Sequence, residues 1–103
     1  MAYDPELADR VRAIIEASGD VEEKRMMGSL AFMINGRMAV GVSGQEVFFP
    51  MGGGEALEVA LQHGAHRLQL TGGRSVPFAA LTDPDDDTLA DWIAEAVERA
   101  LAR

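Results

Sequence analysis

Leu30-Ala31-Phe32-Met33-Ile34-Asn35-Gly36-Arg37-Met38-Ala39-Val40-Gly41-Val42 sets two apolar runs, Leu30 to Ile34 and Met38 to Val42, on either side of Asn35-Gly36. A two-residue type I′ turn needs positive φ at both central positions, which Asn and Gly adopt at least cost, so the stretch predicts a β-hairpin. A second tight turn near Ser43-Gly44-Gln45 leads to a third strand, Val47 to Phe49. Three strands this close in sequence predict an antiparallel meander. On its N-terminal side, Glu22-Glu23-Lys24-Arg25 reads as a polar lead-in to the apolar run that begins at Met26.

Working outward, Asp4-Pro5-Glu6 has the makings of a helix start. Asp4 is a capping residue, Pro5 suits the first helical position, and Glu6 favours the positive helix end. Leu7, Val11, Ile14 and Ile15 fall on one face, and Gly19 supplies the stop, placing a helix over about 5–18. After Pro50-Met51-Gly52-Gly53-Gly54 ends the meander, residues 55–63 read as a short helix closed by Gly64. Two further short strands, Arg67 to Thr71 and Val76 to Leu81, are joined through Gly72-Gly73-Arg74-Ser75. Pro77 lacks a ladder donor and predicts that the last strand lies at an edge. Asp83-Pro84-Asp85-Asp86-Asp87 opens the final helix, on which Leu89, Trp92, Ile93, Ala96, Val97, Ala100 and Leu101 form an unbroken apolar stripe. The expectation is one α+β domain over residues 1–103. It has two layers: an antiparallel sheet of about five strands, and N- and C-terminal helices with one short middle helix.

Composition narrows the function. The formal net charge is −8, and residues 83–103 alone hold seven acids against Arg99 and Arg103. The remaining bases are scattered, and without a Lys/Arg cluster the chain has no means of displacing the counterions of a phosphate backbone, so direct nucleic-acid binding is not expected. Cysteine is absent, which removes disulfides, thiolate chemistry and Cys-based zinc sites. The acidic opening Met1 to Glu6 predicts no leader peptide, and no apolar stretch has membrane-spanning length. These features predict a reduced, soluble, cytoplasmic protein.

No catalytic or metal site emerges, and no cofactor is expected. Counted from Asp83 as a calcium loop, the sixth position is Thr88 and the twelfth Ala94, where such a loop needs Gly and Glu; helix capping is the simpler reading. His63 and His66 are separated by the helix-ending Gly64, so their geometry is not fixed and no carboxylate partner is assignable. Ser43 has Gln45 where a nucleophile elbow requires Gly, and it sits in a predicted hairpin. Gly52-Gly53-Gly54 ahead of a helix, with Arg74 nearby in the reading, is a weak anion-site candidate that lacks the P-loop ending. Met26, Met27, Met33, Met38 and Met51 cluster around the meander, where methionine serves either as core filling or as an adaptable contact surface.

Residues Glu23 to Met38 resemble the TfoX/Sxy N-terminal domain family, with Met26, Gly28, Leu30, Ala31, Phe32, Asn35 and Gly36 matching its Met-Phe-Gly-Gly element and the apolar stretch ending in Asn-Gly. Met27 stands where Phe is usual and Ser29 where Gly is usual; Pro50 and Ser75 also depart from the pattern. The resemblance covers nearly the whole chain. It implies a secretion-chaperone-like α/β two-layer fold and no established enzymatic activity. Full-length members regulate DNA-uptake competence and carry a C-terminal helical domain, so a chain ending at Arg103 is expected to be a stand-alone N-domain. The reading is a non-enzymatic protein-interaction module with an unidentified protein partner. The outer sheet face and Met26, Met27, Gly28 and Ser29 are its candidate contacts, and Phe32, Asn35 and Gly36 complete the family motif. The alternative is a small-ligand or anion-binding protein. Self-association into a homodimer through an exposed face or edge strand is open to such a sheet.

Overall fold

The computed structural model describes residues 3–26, 28–51, 54–69 and 75–102. Helix α1 (Pro5–Ile15) begins where Asp4 accepts a 3.0 Å hydrogen bond from the Glu6 amide. Leu7, Ala8, Val11 and Ile15 are its buried face, and a 3₁₀ turn (Glu16–Ser18) carries it to Gly19 at φ +109°. Four strands follow: β1 (Glu22–Met26), β2 (Ser29–Ile34), β3 (Arg37–Ser43) and β4 (Glu46–Pro50). Only two residues separate each from the next. Asn35 at φ +52° and Gly36 at φ +79° supply the positive pair that a type I′ hairpin requires, and Gly28 (+85°) and Gly44 (+57°) serve the flanking turns.

Helix α2 (Gly54–Gln62) then leads to β5 (His66–Gln69), which returns through β6 (Ser75–Thr82) to α3 (Asp86–Leu101). The sheet has the order β1-β2-β3-β4-β6-β5 and is antiparallel throughout. It is the expected α+β arrangement with six strands where about five were predicted. The extra strand is Glu22–Met26. All five of its residues are exposed, so it shows none of the apolar alternation by which a half-buried strand is recognised.

The position of Pro77 is a second correction. The strand that contains it is interior, paired with β4 on one side and β5 on the other. Its partner positions run from Arg67↔Ala79 to Gln69↔Ser75, so Pro77 occupies an irregularity in the pairing with β5. A bulge is the other place where a sheet tolerates a missing donor. The Pro77 carbonyl still accepts a hydrogen bond from the Met51 amide at 3.2 Å.

All three helices cover the same face of the sheet. α3 lies over β3 and β2 and packs against α1, while α2 lies over β6 and β5. Between the layers, Phe32, Val40, Val42, Val47 and Phe49 join Leu89, Ile93 and Val11 in a dry core, and Trp92 leans on Phe49 with ring centroids 5.5 Å apart. Two arginines fasten α1. Arg10 donates to Asp86 (2.9 Å) and to the Pro84 carbonyl ahead of α3, and Arg12 forks onto Glu23 of β1 (2.5 and 2.8 Å).

The face opposite the helices has its own small cluster of buried residues, Phe48, Leu68 and Ala80, bordered by the half-buried Met38 and Phe78. Register runs Lys24, Ala31, Gly41, Phe48, Ala80, His66 straight across the six strands. Phe48 is the one large apolar side chain in that row, and its ring lies against Gly41, where a Cβ would run into it.

Two predictions follow from these contacts. Gly41→Ala should cost about 1–3 kcal/mol in urea unfolding, the usual range for overpacking. The cost should nearly vanish in a Phe48→Ala background, and equal costs in both would mean that the ring is not the obstacle. The bond from Arg12 holds the Glu23 carboxyl below its ordinary value, against a smaller opposing effect of burial. A depressed carboxylate stabilises the fold above its unfolded-state pKa, and the benefit is lost as pH falls through the folded-state value. Glu23→Gln should therefore lower stability at neutral pH by up to about 1 kcal/mol, with the difference from wild type closing as the pH falls below the ordinary carboxylate range. A difference that stayed constant with pH would assign Glu23 a packing role.

Candidate interaction face and the α2–α3 cleft

The residues singled out in the sequence divide into structural and surface groups. Phe32 is fully buried against the helices, so this motif position serves the core. Asn35 and Gly36 are exposed at their turn and set its backbone. Met26 ends β1 with 39% of its surface exposed, opposite the half-buried Ser29 across the turn that holds Gly28. Met27, Gly52, Gly53 and Arg74 lie outside the described residues, so of the glycine-rich anion candidate only Gly54, the first residue of α2, has a described place.

On the helix-free face, Phe48 and Phe78 stack nearly parallel, with centroids 5.8 Å apart and planes within 4°. Met33 and Met38, directly paired across β2 and β3, are half-buried on the same face. Met51 is instead buried on the helix side. The methionines thus split between core filling and surface. At one end of this face Glu46 Oε2 meets His66 Nε2 at 2.5 Å and accepts from the Thr82 hydroxyl at 3.4 Å. His66 therefore has the carboxylate partner that sequence could not supply, because Glu46 lies twenty residues away and only the β4–β6–β5 order brings them together.

His63 goes elsewhere. Its Nδ1 meets the Val59 carbonyl at 2.8 Å, and its ring lines a cleft between α2 and α3, so the two histidines do not converge. Among the described residues no three metal-ligating side chains come together. Asp85 caps α3, accepting from the Thr88 amide at 2.8 Å, and this bond holds its carboxyl below the ordinary value. Asp83 faces Arg10 at 3.4 Å. The acids at 83–87 accordingly perform capping and inter-element pairing.

The cleft has a volume of about 350 Å³ and an apolar lining of Met51, Ala56, Val59, Ala60 and Trp92, with His63, Glu95 and Arg99 as its polar groups. Arg99 Nε and Nη2 are sealed from solvent and have no hydrogen-bond partner. Burial lowers the guanidinium pKa from its usual value, and the Glu95 carboxylate one turn earlier opposes the change. In the sequence Arg99 entered only the charge count of residues 83–103. Its spacing held a signal, since Trp92, Glu95 and Arg99 at i, i+3 and i+7 share one stripe of α3.

Comparison with curated proteins and with solved structures returned no match. The sequence profile of the TfoX N-terminal domain matches residues 13–100, a span running from the last turn of α1 through nearly all of α3. Because that match takes in every strand of the sheet, α2 and nearly all of α3, the chain belongs to the TfoX N-terminal domain family.

Proposed function

We propose that the chain is a non-enzymatic protein-interaction module of regulatory type, and that it meets its partner with the helix-free face of the sheet. The observation that carries this reading is the apolar content of that face: the half-exposed Phe78, Met33 and Met38 stand on the side of the sheet opposite the helices, over a small buried base of Phe48 and Leu68. A sheet with one solvated face ordinarily alternates apolar residues inward with polar residues outward. Methionine and aromatic side chains on the outward face suit an adaptable contact surface. The formal charge of −8 favours a protein partner over a phosphate backbone. Family membership adds the regulatory sense, with DNA-uptake competence as the process the resemblance implies. A small-ligand function finds its support on the opposite side of the sheet, at Arg99.

Affinity capture from a nuclease-treated lysate of the source cells tests the reading, with Met38→Asp as the sheet-face variant and Met26→Asp as the turn variant. Both positions are at least partly exposed, so the variants are expected to keep the wild-type fold by circular dichroism. A transcription regulator retained by the wild type and lost from Met38→Asp would support the face as the contact. Loss only from Met26→Asp would move the contact to the β1–β2 turn. Retention by both folded variants would sink the proposed surface.

A further inference from the structure

We propose that Arg99 and the cleft between α2 and α3 form a binding site for a small organic monoanion, a carboxylate carried on an apolar, ring-sized body. The inference is independent of the sheet-face reading, since the cleft lies on the helix side. It begins with an imbalance. A guanidinium offers five N–H donors, and two of its three nitrogens here are sealed from solvent with no acceptor among the described residues. Buried donors without partners are costly, more so when charged. Glu95 acts on Arg99 through its charge but forms no hydrogen bond with it. A carboxylate is the acceptor whose two oxygens match the guanidinium fork.

The surroundings specify the rest of the ligand. The cleft volume of about 350 Å³ falls at the small end of the range for organic ligands. Its walls are apolar, and Val59 on the rim of α2 is half exposed, one of the few large apolar side chains so placed among the described residues. Trp92 offers a ring face on which a flat apolar body can pack. Glu95 sets the charge, because a carboxylate on the same wall penalises a phosphate dianion more than a monoanion. Arg99 also lines a second hollow beside Pro50 and Phe78, so it borders both, and binding requires its outer torsions to turn the fork into the cleft.

The chain provides its own reporter, since Trp92 is its single tryptophan and lines the site. Phenylacetate is the probe, with phenylacetamide as its neutral counterpart and inorganic phosphate as the dianion control. Titration of Trp92 emission should show saturable binding of phenylacetate, about tenfold weaker or worse for phenylacetamide. Arg99→Gln should lose a similar factor with no fall in its unfolding midpoint, and Glu95→Gln should bind phenylacetate several-fold more tightly. Equal affinity for the amide, wild-type affinity in folded Arg99→Gln, or absence of saturation would overturn the proposal. Preference for phosphate over phenylacetate would overturn it as well. If Arg99→Gln does not fold, the Glu95→Gln result decides: weaker or unchanged phenylacetate binding there rejects the assigned electrostatics.

Discussion

The pairing of Ile34 with Arg37 across Asn35-Gly36 is the constraint on which the other contacts rest. A two-residue turn leaves no slack, and a slip of one residue would send every side chain of a strand to the opposite face. With the register fixed, Phe32, Val40, Val42, Val47 and Phe49 all point toward the helices, and Ala31, Gly41, Phe48 and Ala80 all point away. One bulge, between Phe32 and Met33, adjusts the pairing without disturbing this division, because Ala39 is small enough to be absorbed on the buried side. The two faces acquire different characters from one turn.

The helices are held to that sheet by two kinds of force with separate roles. Burial supplies the energy: each large apolar side chain taken fully out of water is worth about 1.5–3 kcal/mol, and the helix-side cluster contains many of them. The ion pairs of Arg10 and Arg12 are largely exposed and worth far less. Their contribution is orientation. Arg10 joins α1 to the start of α3, and Arg12 joins it to the outermost strand while its guanidinium sits 6.0 Å from the Phe32 ring centroid. Helix α1 is thereby keyed to elements from both ends of the chain.

Local chemistry was legible in the sequence; long-range pairing was not. Asn35-Gly36, the Asp4 and Asp85 caps and the apolar stripe of α3 each carry their cause within a few residues, and each stands as read. The first strand escaped because its identity comes from β2 beside it: Glu22 to Met26 has no buried residue, and backbone pairing alone makes it a strand. Pro77 misled because a missing donor is compatible with an edge or with a bulge, and only the partner strand distinguishes them. The candidate site behaved likewise. Residues of the family motif proved to be partly core and turn, whereas the Glu46–His66 pair and the orphaned guanidinium of Arg99 depend on elements far apart in sequence or on what is missing around a side chain.

The charged first strand also bears on how the molecule stays dispersed. Behind it lies β2, whose Leu30, Phe32 and Ile34 make it the kind of apolar strand that, with a bare edge, recruits copies of itself. β1 occupies that edge with Glu22, Glu23, Lys24 and Arg25, whose charges and solvation make a poor template for further pairing. Since β1 buries no side chain of its own, its contribution to the core is small and its main effect is to cover the edge of β2. A partner that peeled it away would expose the most aggregation-prone backbone of the fold. The strand thus acts as a gatekeeper, placing four charged residues along the edge that β2 would otherwise leave bare.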